Sequence, residues 1–295
     1  MFKYNNKIVI NIILLLFLIF FFIYFIKKNN IEQFEDRYNI SHDIYDKQYV
    51  DIYDIVWIDK NMIEFIVKQL DDILFKNYKS DNKIKILDCG CGIGYYNNLF
   101  GNLGYESIGI DKSKNMLRKS TIFFPKDKHI LGDIINYELF KEKEFSHIYI
   151  GDYVLNQNTH KNINKIIKNC YYWLRNDGYL IIDIKDVNKL DYFPEKYSQY
   201  YIDNKGNKHS FTYYKNFLYD RFFLKDKEDD TYLLYEKIIL SDDRERIIVN
   251  KQIIPKRDIL IKLIETNGFK YEGIIEDDNY KNGNGFDIVI FKKQF

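Results

Sequence analysis

The residues best suited to chemistry stand together in Leu87-Asp88-Cys89-Gly90-Cys91-Gly92-Ile93-Gly94-Tyr95. An apolar run, as a buried strand requires, ends in a carboxylate and then breaks into glycines at alternate positions. Glycines let the backbone turn tightly there and keep Cβ atoms away from whatever approaches it. A strand that feeds such a turn and then a helix is the nucleotide cradle of a doubly wound sheet. Two versions of that cradle compete. The dinucleotide pattern Gly-x-Gly-x-x-Gly, counted from Gly90, puts the bulky Tyr95 where helix and strand must pack closely. The pattern Asp88-x-Gly90-x-Gly92-x-Gly94 sets a fixed negative charge at the strand end. Such a charge is unfavourable beside a phosphate and favourable beside a cationic amino acid head. S-adenosylmethionine, rather than NAD, is the expected ligand.

Further motifs follow in order. Ser107-Ile108-Gly109-Ile110-Asp111-Lys112 reads as a second strand ending in an acid. That acid lies about twenty residues beyond the glycine turn, as a strand–helix–strand unit needs. Asn115-Met116-Leu117, Gly132-Asp133-Ile134, Tyr149-Ile150-Gly151-Asp152-Tyr153-Val154 and the run from Trp173 to Asp183 come next. From roughly Tyr45 to Phe291 this succession resembles the class I S-adenosylmethionine-dependent methyltransferase family, with a small-molecule, type 11/25-like domain. The resemblance implies a Rossmann-like seven-stranded α/β sheet with an antiparallel β insert after strand five, used as a lid over the substrate. It implies that Asp111, with Lys112 beside it, holds the ribose hydroxyls and that Met116 touches the adenine. Asp133 and Ile134 would meet the adenine amino group, and Gly151 would end the fourth strand at the site. Ile44 to Asp54 resembles the family's N-terminal flap, with Tyr45 over the cofactor. Its tyrosines at 45, 49 and 53 share one helical face. A stripe of that kind also suits packing on a sheet edge.

Methyl transfer asks mainly for geometry: a nucleophile in line with the methyl carbon and partly stripped of water. A base helps only where the nucleophile arrives protonated. If the resemblance holds, Asp152, Tyr153 and Asn156 face the methyl group; their plainer role is a polar loop capping the next helix. Tyr214 and Arg221 of the insert suit an aromatic, cation-accepting or carboxylate-binding pocket, or simply fill a sheet face. The fourth strand leads into Gly151-Asp152-Tyr153-Val154, without the Asn/Asp-Pro-Pro-aromatic motif of amide and nucleobase amino methylases. No Pro-Cys pair supplies a cytosine C5 nucleophile. A small-molecule acceptor, methylated on nitrogen or oxygen, is expected. The other readings are a catalytically silent cofactor- or partner-binding module and, weakened by Tyr95, an NAD-dependent oxidoreductase.

The elements that must position these residues alternate as strand and helix. Strands are expected at 84–88, 107–111, 129–131, 145–150 and 179–184. A helix carrying Ile63, Ile66, Val67, Leu70 and Leu74 inward is capped by Asn61 with Glu64. A helix with Ile163, Ile166, Ile167, Cys170 and Leu174 on one face stops at Asn176-Asp177-Gly178. From about 192 to 254 the period changes to two, giving strands at 199–203, 208–214, 217–224, 232–240 and 246–253. Pro255 then opens a helix with Ile259, Leu260, Leu263 and Ile264 inward, and strands at 269–276 and 286–291 close the chain.

Lysine and arginine number 44 against 43 acidic residues, so no electrostatic case for nucleic acid exists. Three cysteines and scattered histidines give no metal-ligand spacing, and suit a reducing compartment. Ile8 to Ile26 is apolar and uncharged, long enough to span a bilayer. Residues 1–29 are therefore expected to be a single-pass transmembrane anchor, 30–43 a polar spacer and 44–295 the catalytic domain, facing the cytosol. Asn39-Ile40-Ser41 in the spacer is a lone glycosylation sequon.

Overall fold

The computed structural model describes residues 44–78, 83–185, 199–228, 230–242, 244–276 and 286–294. The expected anchor, spacer and Asn39 sequon lie outside these residues. Among the described residues no helix is long and apolar enough to cross a membrane.

Five strands, β1 (Lys85–Cys89), β2 (Glu106–Asp111), β3 (Lys128–Leu131), β4 (Phe145–Ile150) and β5 (Leu174–Lys185), run parallel. Near the chain end, β11 (Phe269–Ile275) and β12 (Phe286–Lys293) complete a seven-stranded sheet of order β11-β12-β5-β4-β1-β2-β3, with β12 antiparallel to both its neighbours. The direction of succession reverses between β1 and β4, so a crevice opens beyond their carboxyl ends. Parallel strands are covered on both faces and must be apolar throughout. β4 obeys, with every residue buried. Alternate side chains feed two cores: Ile86, Tyr149 and Ile181 go to one, Leu87, Ile148 and Ile182 to the other.

Helices α1 (Lys47–Val56), α2 (Lys60–Leu70), α3 (Tyr95–Asn102), α4 (Lys114–Phe123), α5 (His160–Trp173) and α6 (Arg257–Thr266) surround the sheet. The first core lies under α2 and α3, the second under α5 and α6. Two boundaries and one helix face differ from expectation. Asp59, not Asn61, caps α2, its carboxylate accepting the Met62 N–H at 3.1 Å. α5 stops at Trp173 because Leu174 turns extended and pairs with Phe145, burying both side chains. Asn176-Asp177-Gly178 therefore lies within β5. In α6, Leu260 and Ile264 are buried one turn apart, whereas Ile259 points outward and is 57% exposed.

The period-two region forms a second, antiparallel sheet of five strands: β6 (Gln199–Ile202), β7 (Lys208–Tyr213), β8 (Phe217–Lys225), β9 (Thr231–Leu240) and β10 (Glu245–Ile253). Its inner face, Phe217, Tyr219, Ile238 and Ile248, packs around Tyr49 of α1. At the centre, Glu236 is 1% exposed. Its carboxylate accepts from Tyr49 Oη at 2.6 Å, Tyr219 Oη at 2.5 Å and Trp57 Nε1 at 3.2 Å. A buried carboxylate is tolerated when donors of this kind replace its water.

Glu236→Leu would strand the buried hydroxyls of Tyr49 and Tyr219, while Trp57 Nε1 keeps the Tyr49 oxygen at 2.7 Å, and is expected to lower unfolding stability by roughly 2–4 kcal/mol. Glu236→Gln keeps an acceptor and should lose less. Urea denaturation of both variants checks the order.

Candidate cofactor and acceptor cleft

The turn after β1 is left-handed at each of its glycines, with φ of 73° at Gly90, 53° at Gly92 and 86° at Gly94. The positions are not equivalent. A Cβ on Gly90 would come within 2.2 Å of Val154 Cγ2, and one on Gly94 within 2.2 Å of Ser120 Oγ. A Cβ on Gly92 meets nothing within 4 Å, because it would project into the cleft. Gly90 and Gly94 thus let protein pack on protein, while Gly92 keeps ligand space clear.

Asp111 ends β2 on the cleft wall. Its Oδ2 accepts the Gly92 N–H at 2.9 Å and its Oδ1 the Ser113 N–H at 2.7 Å. Burial pushes its pKa up; those two N–H groups and Lys112 pull it down. Met116 and Ile134 supply apolar walls and Asp133 a polar rim. The cleft holds about 810 Å³ of empty space, its open mouth included.

Asp88, the carboxylate that opened the sequence argument, lies beneath this cleft rather than on its wall. It is 2% exposed and accepts the Asn97 N–H at 3.1 Å, tying α3 to β1. Burial, and then the nearby Asp152, raise its pKa. Besides Asp111 and Asp133, the carboxylate that lines the cleft is Asp152. Burial lifts it to about 6, while Lys185 pulls the other way. Behind it Asp183, 6% exposed, is raised to about 8 by burial and then by Asp152.

Other expected residues part company. Tyr45 lines the cleft, its hydroxyl accepting from Gln157 Nε2 at 2.7 Å, and its carbonyl accepts from Asn115 Nδ2 at 3.0 Å. Tyr153 turns its hydroxyl to Lys185 Nζ, 2.6 Å away, and its ring to Trp57. Gly151 sits against the Tyr149 ring. Asn156 is not on the cleft wall: its side chain donates to Ile253 O and its carbonyl accepts Ile253 N–H, so it pins the end of β10. Tyr214 stacks on Phe217, and Arg221 covers the outer face of Trp57 at 4.8 Å. Both belong to the contact between the second sheet and α1, and neither lines the cleft.

Sequence reasoning missed Tyr53, Ile58, Gln157 and Asn158, which line the cleft, and Asp183 with Lys185 beneath it. Tyr53 was in view as part of the tyrosine stripe. Asp183 had the same signal as Asp88, a carboxylate closing an otherwise apolar strand.

Residues 87–182 match the family model described as a methyltransferase domain. An uncharacterized protein of Methanocaldococcus jannaschii is 28% identical over 44% of this chain and 56% of its own length. The phosphoethanolamine N-methyltransferase of Plasmodium falciparum is 25% identical over 58% of this chain and 64% of its own. The chain thus spans somewhat under two thirds of each relative. The structure of an S-adenosylmethionine-dependent methyltransferase from Clostridium acetobutylicum superposes with a TM-score of 0.63 at 17% identity, over 84% of this chain and 98% of the other.

Gly92→Val is expected to weaken S-adenosylmethionine binding by at least about tenfold, because the branched side chain occupies ligand space. Gly90→Ala should act instead on folding, through the collision with Val154. Calorimetry and thermal unfolding of both variants separate the two effects. A raised carboxylate pKa binds protons that the unfolded chain releases, so its stabilising contribution is complete below the ordinary aspartate range and disappears as pH rises through the folded value. Unliganded protein should therefore lose stability between pH 4 and about 8, the upper bound set by Asp183. Asp183→Asn should flatten that dependence in urea titrations.

Proposed function

We propose that this chain is a class I S-adenosylmethionine-dependent methyltransferase and that it transfers the methyl group of S-adenosylmethionine to a nitrogen or oxygen of a small-molecule acceptor. The observation that carries this reading is the meeting, in one cleft, of the open space at Gly92, the carboxylate of Asp111 and the carboxylate of Asp152. Bound there, the cofactor supplies an electrophilic methyl carbon on a cationic sulfur. Gly92 admits the methionine part, Asp111 accepts the ribose hydroxyls, and Met116 and Ile134 hold the adenine, with Asp133 at its amino group. The buried carboxylates around the site favour a cationic ligand.

The acceptor enters between Tyr45 and Tyr53 on one side and the loop from Asp152 to Asn158 on the other. Asp152, ionised at neutral pH, holds the nucleophile and takes its proton. The rings of α1 exclude water from the attack line. An amine suits this arrangement, since a protonated amine is attracted to Asp152 and must lose a proton before it attacks. The relative that methylates phosphoethanolamine acts on such a group. The second sheet serves as a lid through α1, on which it is seated, rather than by touching the acceptor. Residues 8–26 anchor the chain in a membrane with the domain on the cytosolic side.

The test incubates the full-length chain with S-adenosylmethionine and small amines and alcohols, phosphoethanolamine among them, followed by a metabolite extract. Release of S-adenosylhomocysteine that depends on an acceptor is expected; its absence across the whole set overturns the reading. Asp152→Asn should cut turnover and leave affinity for the uncharged-sulfur product S-adenosylhomocysteine unchanged. Asp111→Ala should weaken cofactor binding by about 1–3 kcal/mol, the cost of unpaired buried hydroxyls. Protease digestion of sealed vesicles checks the orientation: a protected domain, or a glycan on Asn39, excludes the cytosolic placement.

A further inference from the structure

Asp152 and Tyr153 are consecutive residues with left-handed backbones, φ 51° and 66°. Aspartate visits this region more readily than most residues; tyrosine does not. The turn is closed internally by the Val154 N–H, which donates to the Gly151 carbonyl at 3.2 Å. Two such residues in succession, neither of them glycine, call for a further restraint, which is visible at the end of β5. Asp183 is nine-tenths buried, and its Oδ2 accepts the N–H of Asp152. The N–H of Tyr153 is directed to the same carboxylate. Successive N–H groups converging on one anion make a backbone nest, here filled by a side chain of the same protein. Two residues further along β5, Lys185 fixes Tyr153 from the other side, donating to its hydroxyl at 2.6 Å and lying over its ring at 4.7 Å.

We propose that Asp183 is a positioning residue: by accepting the N–H groups of Asp152 and Tyr153 it holds the turn after β4 left-handed and aims the Asp152 carboxylate into the acceptor part of the cleft. The purpose assigned to Asp152 rests on the functional reading above; the positioning does not. Without the anchor the turn relaxes toward ordinary backbone angles, the Asp152 carboxylate leaves the cleft wall and meets solvent, and Tyr153 loses its register with Lys185 and Trp57. Asp88 and Lys185 face Asp152 from β1 and β5 in either case, so their fields are common to parent and variant.

The experiment compares the full-length chain with Asp183→Ala, which removes the hydrogen-bond acceptor, and Asp183→Asn, which keeps one, using S-adenosylhomocysteine to report an intact cofactor site. In Asp183→Ala affinity for it should stay within about threefold of the parent, while amide exchange of the peptide containing 152 and 153 should accelerate by at least about tenfold, with β4 and β1 unchanged, because only the turn has lost its restraint. A second readout is rescue. Asp183→Asn should return exchange at 152–153 to within about threefold of the parent, because its amide oxygen accepts the same N–H groups. Parental exchange in Asp183→Ala, or exchange in Asp183→Asn as fast as in Asp183→Ala, overturns the proposal. Loss of S-adenosylhomocysteine binding in either variant also overturns it, by placing Asp183 in the fold rather than at the turn. No acceptor is used, so a parent that binds the cofactor and methylates nothing fails the functional reading alone.

Discussion

Everything around the cleft depends on burying carboxylates at the carboxyl ends of adjacent strands. Asp88, Asp111 and Asp183 close β1, β2 and β5 or nearly so, and Asp152 follows β4 by two residues. Ionised groups taken out of water must find compensation inside the protein. Here most of it comes from main-chain N–H groups: Asn97 for Asp88, Gly92 and Ser113 for Asp111, Asp152 and Tyr153 for Asp183. Each such bond also fixes a turn or a helix start, so the charges that shape the ligand site shape the backbone around it. The compensation is partial, as the upward pKa shifts of Asp88, Asp111, Asp152 and Asp183 show. A cationic ligand supplies the remainder, and the site is better satisfied full than empty.

The second organising contact is α1. It is held to the Rossmann-like core by Lys119, which is 8% exposed, donates to the carbonyls of Val50 and Asp51 at 2.6 and 3.0 Å, and pairs with Asp54. It is held to the second sheet by Tyr49 and Trp57 through Glu236. Between these two attachments it presents Tyr45 and Tyr53 to the cleft. The β insert consequently reaches the ligand site at one remove. Arg221 of β8 and Glu236 of β9 both contact Trp57, whose ring meets that of Tyr153 beside Asp152.

The alternating sheet, the glycine turn and the acid closing β2 were legible because each is local: an apolar run, a spacing, a residue type at a strand end. The five insert strands were legible for the same reason, from their period of two. Helix ends were read less well. Asp59 outcompeted Asn61 because its backbone is already extended at the point where the chain enters α2. Leu174 left α5 early because pairing with Phe145 buries it completely. Roles across the cleft were the least legible. Asn156, Tyr214 and Arg221 are polar or aromatic residues in plausible places, yet their partners, Ile253, Ile55 and Trp57, lie on elements whose docking no local pattern encodes. Asp88 was singled out as a charge for the ligand, yet it is buried beneath the cleft. Its compensation by a main-chain N–H, with Asp152 taking the place on the wall, depends on a turn geometry that no residue type announces.

The division of labour between Asp152 and Asp183 has a physical logic of its own. Two acids in contact do not ionise together, because the second charge is created in the field of the first. The one nearer Lys185's influence and the open cleft ionises first, near 6, and the one behind it holds its proton until about 8. At neutral pH the pair thus carries one charge, located on the cleft wall. A protonated Asp183 still offers a carbonyl oxygen to the main-chain N–H groups.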